Sequence, residues 1–137
     1  MDTVKRHIER LKVAIERHER AVGLASAEFR SGIGAIEKEY ERRCVIVARR
    51  VLGAEQSMSV ANGKKGDLAL MSAANGRPEY DVAKHSASAR FDAEMLKLDL
   101  ARDDAIAAAD KAFLLEEEEI HRAINEDDKP QPPQAAA

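Results

Sequence analysis

Apolar residues recur with the period of an α-helix through the first 52 positions of the chain. The stripe contains Val4, Ile8, Leu11, Ile15, His18, Val22, Ser26, Phe29, Ile33, Ile36, Tyr40, Cys44, Val47 and Val51. Its thirteen steps cover 47 residues, a mean spacing of about 3.6, which is the repeat of a straight α-helix. We therefore predict one helix over 2–52 that ends at Gly53. Gly32 and Gly34 lie inside it and permit a kink or the close approach of another helix.

A second stripe of the same period begins at residue 80 and predicts a helix over 80–125. It contains Tyr80, Ala87, Phe91, Met95, Leu98, Ala105, Ala109, Phe113, Ile120 and Ile124. Glycines and two turn-forming pairs, Asn62-Gly63 and Asn75-Gly76, interrupt the pattern and predict a loop over 53–79. Within that loop, residues 67–74 have the capping residues of a short helix.

The charges of the two predicted helices are complementary. Residues 1–56 carry a net charge of +3, and residues 80–137 carry a net charge of −7. If residue i faces residue 136−i, the glutamates of 116–119 lie opposite Arg17, His18 and Arg20, and Asp92 and Glu94 lie opposite Arg42 and Arg43. Such charges select register and orientation in coiled coils, so we predict an antiparallel pairing.

The expected fold is all-α: a long antiparallel, coiled-coil-like helical hairpin over 1–128, followed by an extended Pro-rich tail over 129–137. The length of 137 residues is consistent with one domain. Aromatic residues make up only 4% of the chain, and high helical content with few aromatics is typical of long helices. The N-terminus lacks the apolar run of a signal peptide, and we expect a cytoplasmic protein without a membrane-spanning segment.

Several apolar residues lie off the two main stripes, and a two-helix hairpin has only one seam in which to bury them. We therefore predict that they bind a partner, which we expect to be further copies of the chain or other proteins of an assembly. The candidate partner-binding residues are Val13, Leu24, Val45, Leu52, Leu68, Leu70, Met71, Leu96, Leu100 and Leu114.

A metal site is a less favoured interpretation. Glu118 and His121 form a Glu-x-x-His step, a spacing that places a carboxylate and an imidazole on one helix face in di-iron bundles. The predicted register brings His18 close to them. Because such bundles use two of these steps and the chain has one, we favour a solvated face with an ion pair between Glu118 and Arg122, and we predict no metal and no cofactor.

Other chemistry has little support in the sequence. The segment 63–67 combines glycines and lysines without the spacing of a phosphate-binding loop, and no serine lies in a nucleophile motif. A basic cluster comprises Arg42, Arg43, Arg49, Arg50, Lys64 and Lys65. Only Tyr40 lies near it, and since single-stranded nucleic acids are bound through aromatic platforms, we expect no nucleic-acid partner.

In hairpin length and charge the chain resembles export-apparatus stalk proteins and components of virions or scaffolds, a likeness of fold alone. The sequence therefore predicts a non-enzymatic structural or assembly protein. A phage or virus particle is one setting for it, with localisation in the virion. The alternative is an adaptor or chaperone that holds another helical protein.

Overall fold

The computed structural model describes the backbone of residues 2–58 and 64–128 and the side chains within 2–53 and 65–127. It contains three helices, α1 (Asp2–Met58), α2 (Lys64–Ala74) and α3 (Pro78–Asp128), and no strand in the described residues. Helix α1 packs against α3. The all-α hairpin with a short helix in its connecting segment is thus confirmed. The predicted tail over 129–137 and the Asn62-Gly63 turn lie outside the described residues.

Helix α1 follows the apolar stripe without a break as far as Gly53. There the backbone leaves the helical region, with φ of 79° and ψ of 172°, a conformation that costs glycine little because it has no Cβ. The helix resumes and ends at Met58, six residues beyond the predicted end at 52. Gly32 and Gly34 keep helical dihedral angles, so α1 continues through both glycines as the predicted single helix.

A tight turn joins α2 to α3. Gly76 has φ of 87°, in the left-handed region that glycine tolerates at a helix end. Its N–H donates to Oδ1 of Asp81 in the first turn of α3, at 3.2 Å. Pro78 begins α3, a position where proline loses no intrahelical hydrogen bond. These local contacts explain why α3 begins two residues before position 80.

The chain forms two compact units, and α1 and α3 contribute to both. One unit, called the three-helix unit below, comprises Glu28–Ala101 and therefore includes α2. The other, called the two-helix unit, comprises Met1–Ala27 and Arg102–Ala137. Its described part contains only the first half of α1 and the second half of α3.

The three-helix unit has an apolar core to which all three helices contribute. The buried residues of this core are Cys44, Ala48, Leu70, Ala74, Tyr80 and Ala87. Tyr80 is 1% exposed and Leu70 is 2% exposed. Burial raises the pKa of the Tyr80 hydroxyl above its ordinary value, and the nearby Cys44, Tyr40 and Asp81 act in the same direction. Cys44 is a free cysteine in this core, where a buried thiol packs as a small hydrophobe.

Helix α1 and helix α3 also meet directly within the three-helix unit. The ring of Tyr40 packs edge-on against Phe91 with centroids 5.5 Å apart, and its hydroxyl shares a 3.3 Å hydrogen bond with Ser88. A Cβ added to Gly32 would lie 2.7 Å from Cδ1 of Leu98. The close helix approach that the sequence permitted at Gly32 is therefore present.

In the two-helix unit the buried apolar residues are fewer and smaller, and charged contacts cross between the helices. Ala14, Ala25 and Ile120 are its buried apolar residues among those described. His7 donates from Nε2 to Oδ2 of Asp127 at 2.7 Å. All these residues belong to α1 and α3, which confirms an antiparallel pairing.

The predicted register is wrong. His18 meets Asp110 rather than residue 118, and Arg10 meets Glu116 rather than residue 126. His7 meets Asp127, close to the predicted residue 129, so the offset ranges from two to ten residues. The chain reverses between Gly53 and Pro78, whose midpoint lies between residues 65 and 66, whereas the predicted register assumed residue 68. This difference accounts for a shift of about five residues, because moving the turning point by one residue moves the facing position by two.

The charge pairs predicted across the three-helix unit are also replaced by pairs within single helices. Arg42 and Arg43 both contact Glu39, at 2.8 and 3.2 Å. Glu94 contacts Arg90 at 3.4 Å. These contacts join residues three or four positions apart, which are neighbours on a helix surface.

Candidate partner-binding surface

Most of the predicted partner-binding residues are exposed. In the two-helix unit Val13 is 47% exposed, Leu24 60% and Leu114 61%. In the three-helix unit the exposed members are Leu68, Leu96 and Leu100. These six side chains are accessible to another molecule, as a partner-binding role requires.

Four predicted partner-binding residues lie in or against the core instead. Leu70 and Val45 are buried, and Leu52 and Met71 are half-buried and pack against the core of the three-helix unit. For Leu70, Leu52 and Met71 the physical reason is α2, which adds a third helix to the core of this unit. We therefore reassign Leu70 and Val45 to the interior of the chain.

A second set of exposed apolar residues was not predicted from the sequence. Val4, Ile8 and Ile15 belong to the main stripe of α1, and all three are exposed. Val4 and Ile8 nevertheless line a cavity together with Ile120 and Ile124 of α3. The structure instead buries Ala14 and Ala25 in this part of α1. The sequence contained a signal for this difference. His7 lies next to the stripe and His18 lies within it, which indicates that the contact between α1 and α3 is partly polar here.

A cleft runs along one side of the two-helix unit, between α1 and α3. It consists of two cavities of about 490 and 340 Å³ that share Ala14, Arg17 and Glu116. We call it the α1–α3 cleft. Its lining from α1 is Lys5, Arg6, Glu9, Arg10, Val13, Ala14, Arg17, His18 and Ala21, and its lining from α3 is Ala109, Ala112, Phe113, Leu115, Glu116 and Glu119.

Charges of opposite sign lie on the two sides of this cleft. The α1 side contributes four basic residues and one acidic residue, whereas the charged residues of the α3 side are Glu116 and Glu119. One ion-pair cluster joins the sides: Arg10 lies 3.0 Å from Glu116 and 3.8 Å from Glu119. Arg17 forms no ion pair with another described residue.

The histidines proposed as metal ligands serve as helix–helix contacts or lie on the surface. His18 donates from Nε2 to Oδ1 of Asp110 at 2.7 Å, and its ring packs against Phe113 with centroids 5.3 Å apart. His121 lies 3.9 Å from Glu117 in its own helix. Because His18 contacts Asp110, eleven residues before His121 on α3, the observed pairing does not bring together the two imidazoles that the predicted register had placed side by side.

Glu118 lies 3.9 Å from Arg122, as in the ion pair that the sequence analysis favoured. Among the described residues, no group of three or more histidine, cysteine, aspartate or glutamate side chains is close enough to hold a metal ion. The arrangement of His18, Glu118 and His121 therefore does not form the carboxylate–histidine site considered from the sequence.

Three members of the basic cluster, Arg42, Arg43 and Arg49, contact carboxylates of the three-helix unit. Arg42 donates two hydrogen bonds to Glu39, and Arg49 lies 3.5 Å from Asp67 of α2. The hydrogen bonds from Arg42 hold the pKa of the Glu39 carboxyl below its ordinary value, against an opposing effect of desolvation, and the charges of nearby arginines also lower it. Part of the cluster is therefore engaged in ion pairs within the chain.

No described helix is both long enough and apolar enough to cross a membrane. Comparisons of the chain with protein-family models, with curated proteins and with solved structures each found no match.

Proposed function

We propose that this chain is a non-enzymatic structural or assembly protein whose hairpin packs against copies of itself or against other proteins. The observation that supports the proposal is the exposure of large apolar side chains at helical spacing. Val4, Ile8 and Ile15 on α1, and Leu96 and Leu100 on α3, are each at least 40% exposed. Residues four or seven positions apart share a helix face, so these side chains form stripes rather than isolated surface positions.

Burial of such stripes favours association. Removing apolar surface from water contributes roughly 25 cal/mol per Å², and a hairpin with one seam gains this contribution only when another molecule covers its outer faces. Contiguous exposed apolar surface is typical of protein interaction sites. Helix bundles provide the geometry, because helices of two molecules can pack side by side around a shared core.

The use of the polar residues supports a non-enzymatic role. His7, His18 and Arg10 each contact a carboxylate on the facing helix, which is the use expected of side chains that hold two helices in register. A phage or virus particle and the cytoplasm stay predictions from the sequence as settings for the assembly.

The proposal is tested by the solution mass of the purified chain, measured by light scattering or sedimentation over a range of concentrations. We expect a stable oligomer or a larger assembly. The double variant Leu24→Gln/Leu114→Gln should shift the mass towards that of one chain, with its helical circular dichroism unchanged because both side chains are exposed.

The matched control is Arg20→Gln/Glu118→Gln, which changes two exposed polar residues on the same helices and should leave the mass unchanged. A monodisperse monomer at all concentrations would contradict self-association. In that case the exposed stripes would fit the alternative function, an adaptor that holds a different helical protein.

A further inference from the structure

The α1–α3 cleft has a charge pattern that suits one particular partner, a second copy of the chain. On the described part of the two-helix unit, residues 2–27 carry six basic and four acidic side chains, and residues 102–127 carry three basic and nine acidic ones. The net charges are therefore +2 and −6. Each copy presents a basic helix and an acidic helix side by side, so the surface is complementary to itself.

We propose that two copies of the chain associate through this cleft about a two-fold axis parallel to the helices, so that α1 of each copy lies on α3 of the other. The result is a four-helix bundle with alternating basic and acidic helices. The proposal rests on the proposed function and deepens it by naming the partner and its orientation.

Symmetry leaves two ways to place the cleft of one copy on the cleft of another. An axis perpendicular to the helices puts α1 on α1 and α3 on α3, which brings like charges together. An axis parallel to the helices puts the basic α1 on the acidic α3 at the same level along the bundle. Because like charges across an interface are costly and opposite charges guide association, the pattern selects the second arrangement.

The side chains that line the cleft suit this packing. Val13 on α1 and Leu115 on α3 are exposed apolar residues in its lining. Ala112 is small and allows a facing helix to approach closely. Arg17 has no ion-pair partner among the described residues, so its guanidinium is available to a carboxylate of the second copy. Glu119 is 62% exposed and borders the same cavity as Arg17.

Charge exchange between these two residues tests the arrangement. In a homodimer of the Arg17→Glu variant, the introduced carboxylate faces Glu119 of the other copy at two symmetric contacts. In a homodimer of the Glu119→Arg variant, the introduced guanidinium faces Arg17 of the other copy, again at two contacts. Each variant should therefore associate about tenfold or more weakly than the wild type. When the two variants are mixed, a heterodimer should form with higher affinity than either homodimer. One of its two contacts joins the native Arg17 to the native Glu119, and the other joins the two introduced side chains, so both contacts are attractive.

Sedimentation gives the affinities, and native mass spectrometry of variants that differ in mass distinguishes the heterodimer from the homodimers. The double variant Arg17→Glu/Glu119→Arg should associate as the wild type does. Arg20→Glu and Glu118→Arg are matched controls, because they make the same charge changes on the same helices at exposed positions outside the cleft lining, and they should leave the affinity unchanged.

The possible failures are distinguishable. A wild-type chain that stays monomeric would overturn both this inference and the self-association in the proposed function. An oligomer that is insensitive to Arg17→Glu and Glu119→Arg would overturn the cleft as the interface and leave an assembly protein. If both variants weaken association but neither mixing nor the double variant restores it, the placement of α1 on α3 is wrong.

Discussion

The three-helix unit and the two-helix unit use the same two long helices but bury different kinds of side chain. In the three-helix unit, α2 covers the hairpin and encloses Leu70 and Tyr80 in an apolar core. In the two-helix unit no third helix is described, and alanines, Ile120 and cross-helix contacts of histidine and arginine form the seam. In the three-helix unit α2 covers the apolar side chains of the hairpin. In the two-helix unit the exposed apolar side chains require another molecule to cover them.

This difference has an energetic consequence. Burying a large apolar side chain stabilises a fold by about 1.5–3 kcal/mol, whereas an exposed ion pair contributes about 0–1 kcal/mol. We therefore expect the three-helix unit to be the more stable of the two in the isolated chain, and the two-helix unit to gain most from association.

The largest expected effect comes from truncating the core of the three-helix unit. Leu70→Ala should lower the free energy of unfolding by about 2–5 kcal/mol, the usual cost of a cavity at a buried leucine. Leu68→Ala on the same helix is the matched control, because Leu68 is 53% exposed, and it should change stability by about 0.5 kcal/mol or less. Chemical denaturation measures both, and equal effects of the two variants would contradict the buried position of Leu70.

A smaller effect distinguishes two glycines of α1. Gly34→Ala should stabilise the chain by about 0.5–1 kcal/mol, because alanine is the better helix former and a Cβ there has no neighbouring atom within 4 Å. Gly32→Ala should lose that gain, or destabilise the chain, because its Cβ would meet Leu98. Thermal denaturation of the two variants gives the difference.

Leu98→Ala supplies the control for the glycine pair. In that background the Cβ at position 32 has room, so Gly32→Ala and Gly34→Ala should then have similar effects. If Gly32→Ala already equals Gly34→Ala in the wild-type background, Leu98 moves aside at little cost and the close approach of α1 and α3 is loose.

The core should also make the stability of the three-helix unit sensitive to alkaline pH. The raised pKa means that folded Tyr80 holds its proton more tightly than the unfolded chain does. This contribution to stability is complete below the ordinary tyrosine pKa of about 10 and is lost as pH rises through the folded pKa. Tyr80→Phe should therefore flatten the decline in stability above pH of about 10.

Denaturation of the wild type and of Tyr80→Phe at neutral and alkaline pH provides the measurement. At neutral pH the two proteins should show the same dependence of stability on pH, because neither has an ionised group at position 80. Parallel curves throughout the alkaline range would show that Tyr80 is not buried as the structure places it.

The smallest expected effect belongs to the two-helix unit. The coupling between Arg10 and Glu116, obtained from a double-mutant cycle with Arg10→Gln and Glu116→Gln, should be about 0–1 kcal/mol. It should decrease at high salt, since screening weakens exposed charge pairs. A large coupling that is independent of salt would contradict the claim that the ion pairs of the two-helix unit contribute less stability than the apolar core of the three-helix unit.

The extent to which the sequence predicted the structure differs from one feature to the next. The stripes predicted α1 and α3 because helical periodicity is a local property, and the glycines at 53 and 76 marked two breaks because a positive φ favours glycine. The register could not be obtained by counting residues from an assumed turning point, because it depends on where the chain reverses and on contacts such as His18 with Asp110.

The same division applies to the candidate surface. Val13, Leu24, Leu96, Leu100 and Leu114 are exposed, which the sequence indicated because they lie off the main stripes. The predicted register placed Arg17 opposite the glutamates of 116–119, but the cavity that Arg17 and Glu119 line was not predicted, because a cavity depends on how the side chains of α1 and α3 pack.

By itself, the sequence determined the helices, their antiparallel pairing and the excess of apolar residues over one seam, since spacing and composition along the chain are sufficient for these features. Only the tertiary structure decided which side of each helix is covered. Leu70 and Val45 are buried, whereas Val4, Ile8 and Ile15 are exposed. The physical reason is that burial depends on contacts between residues distant in sequence.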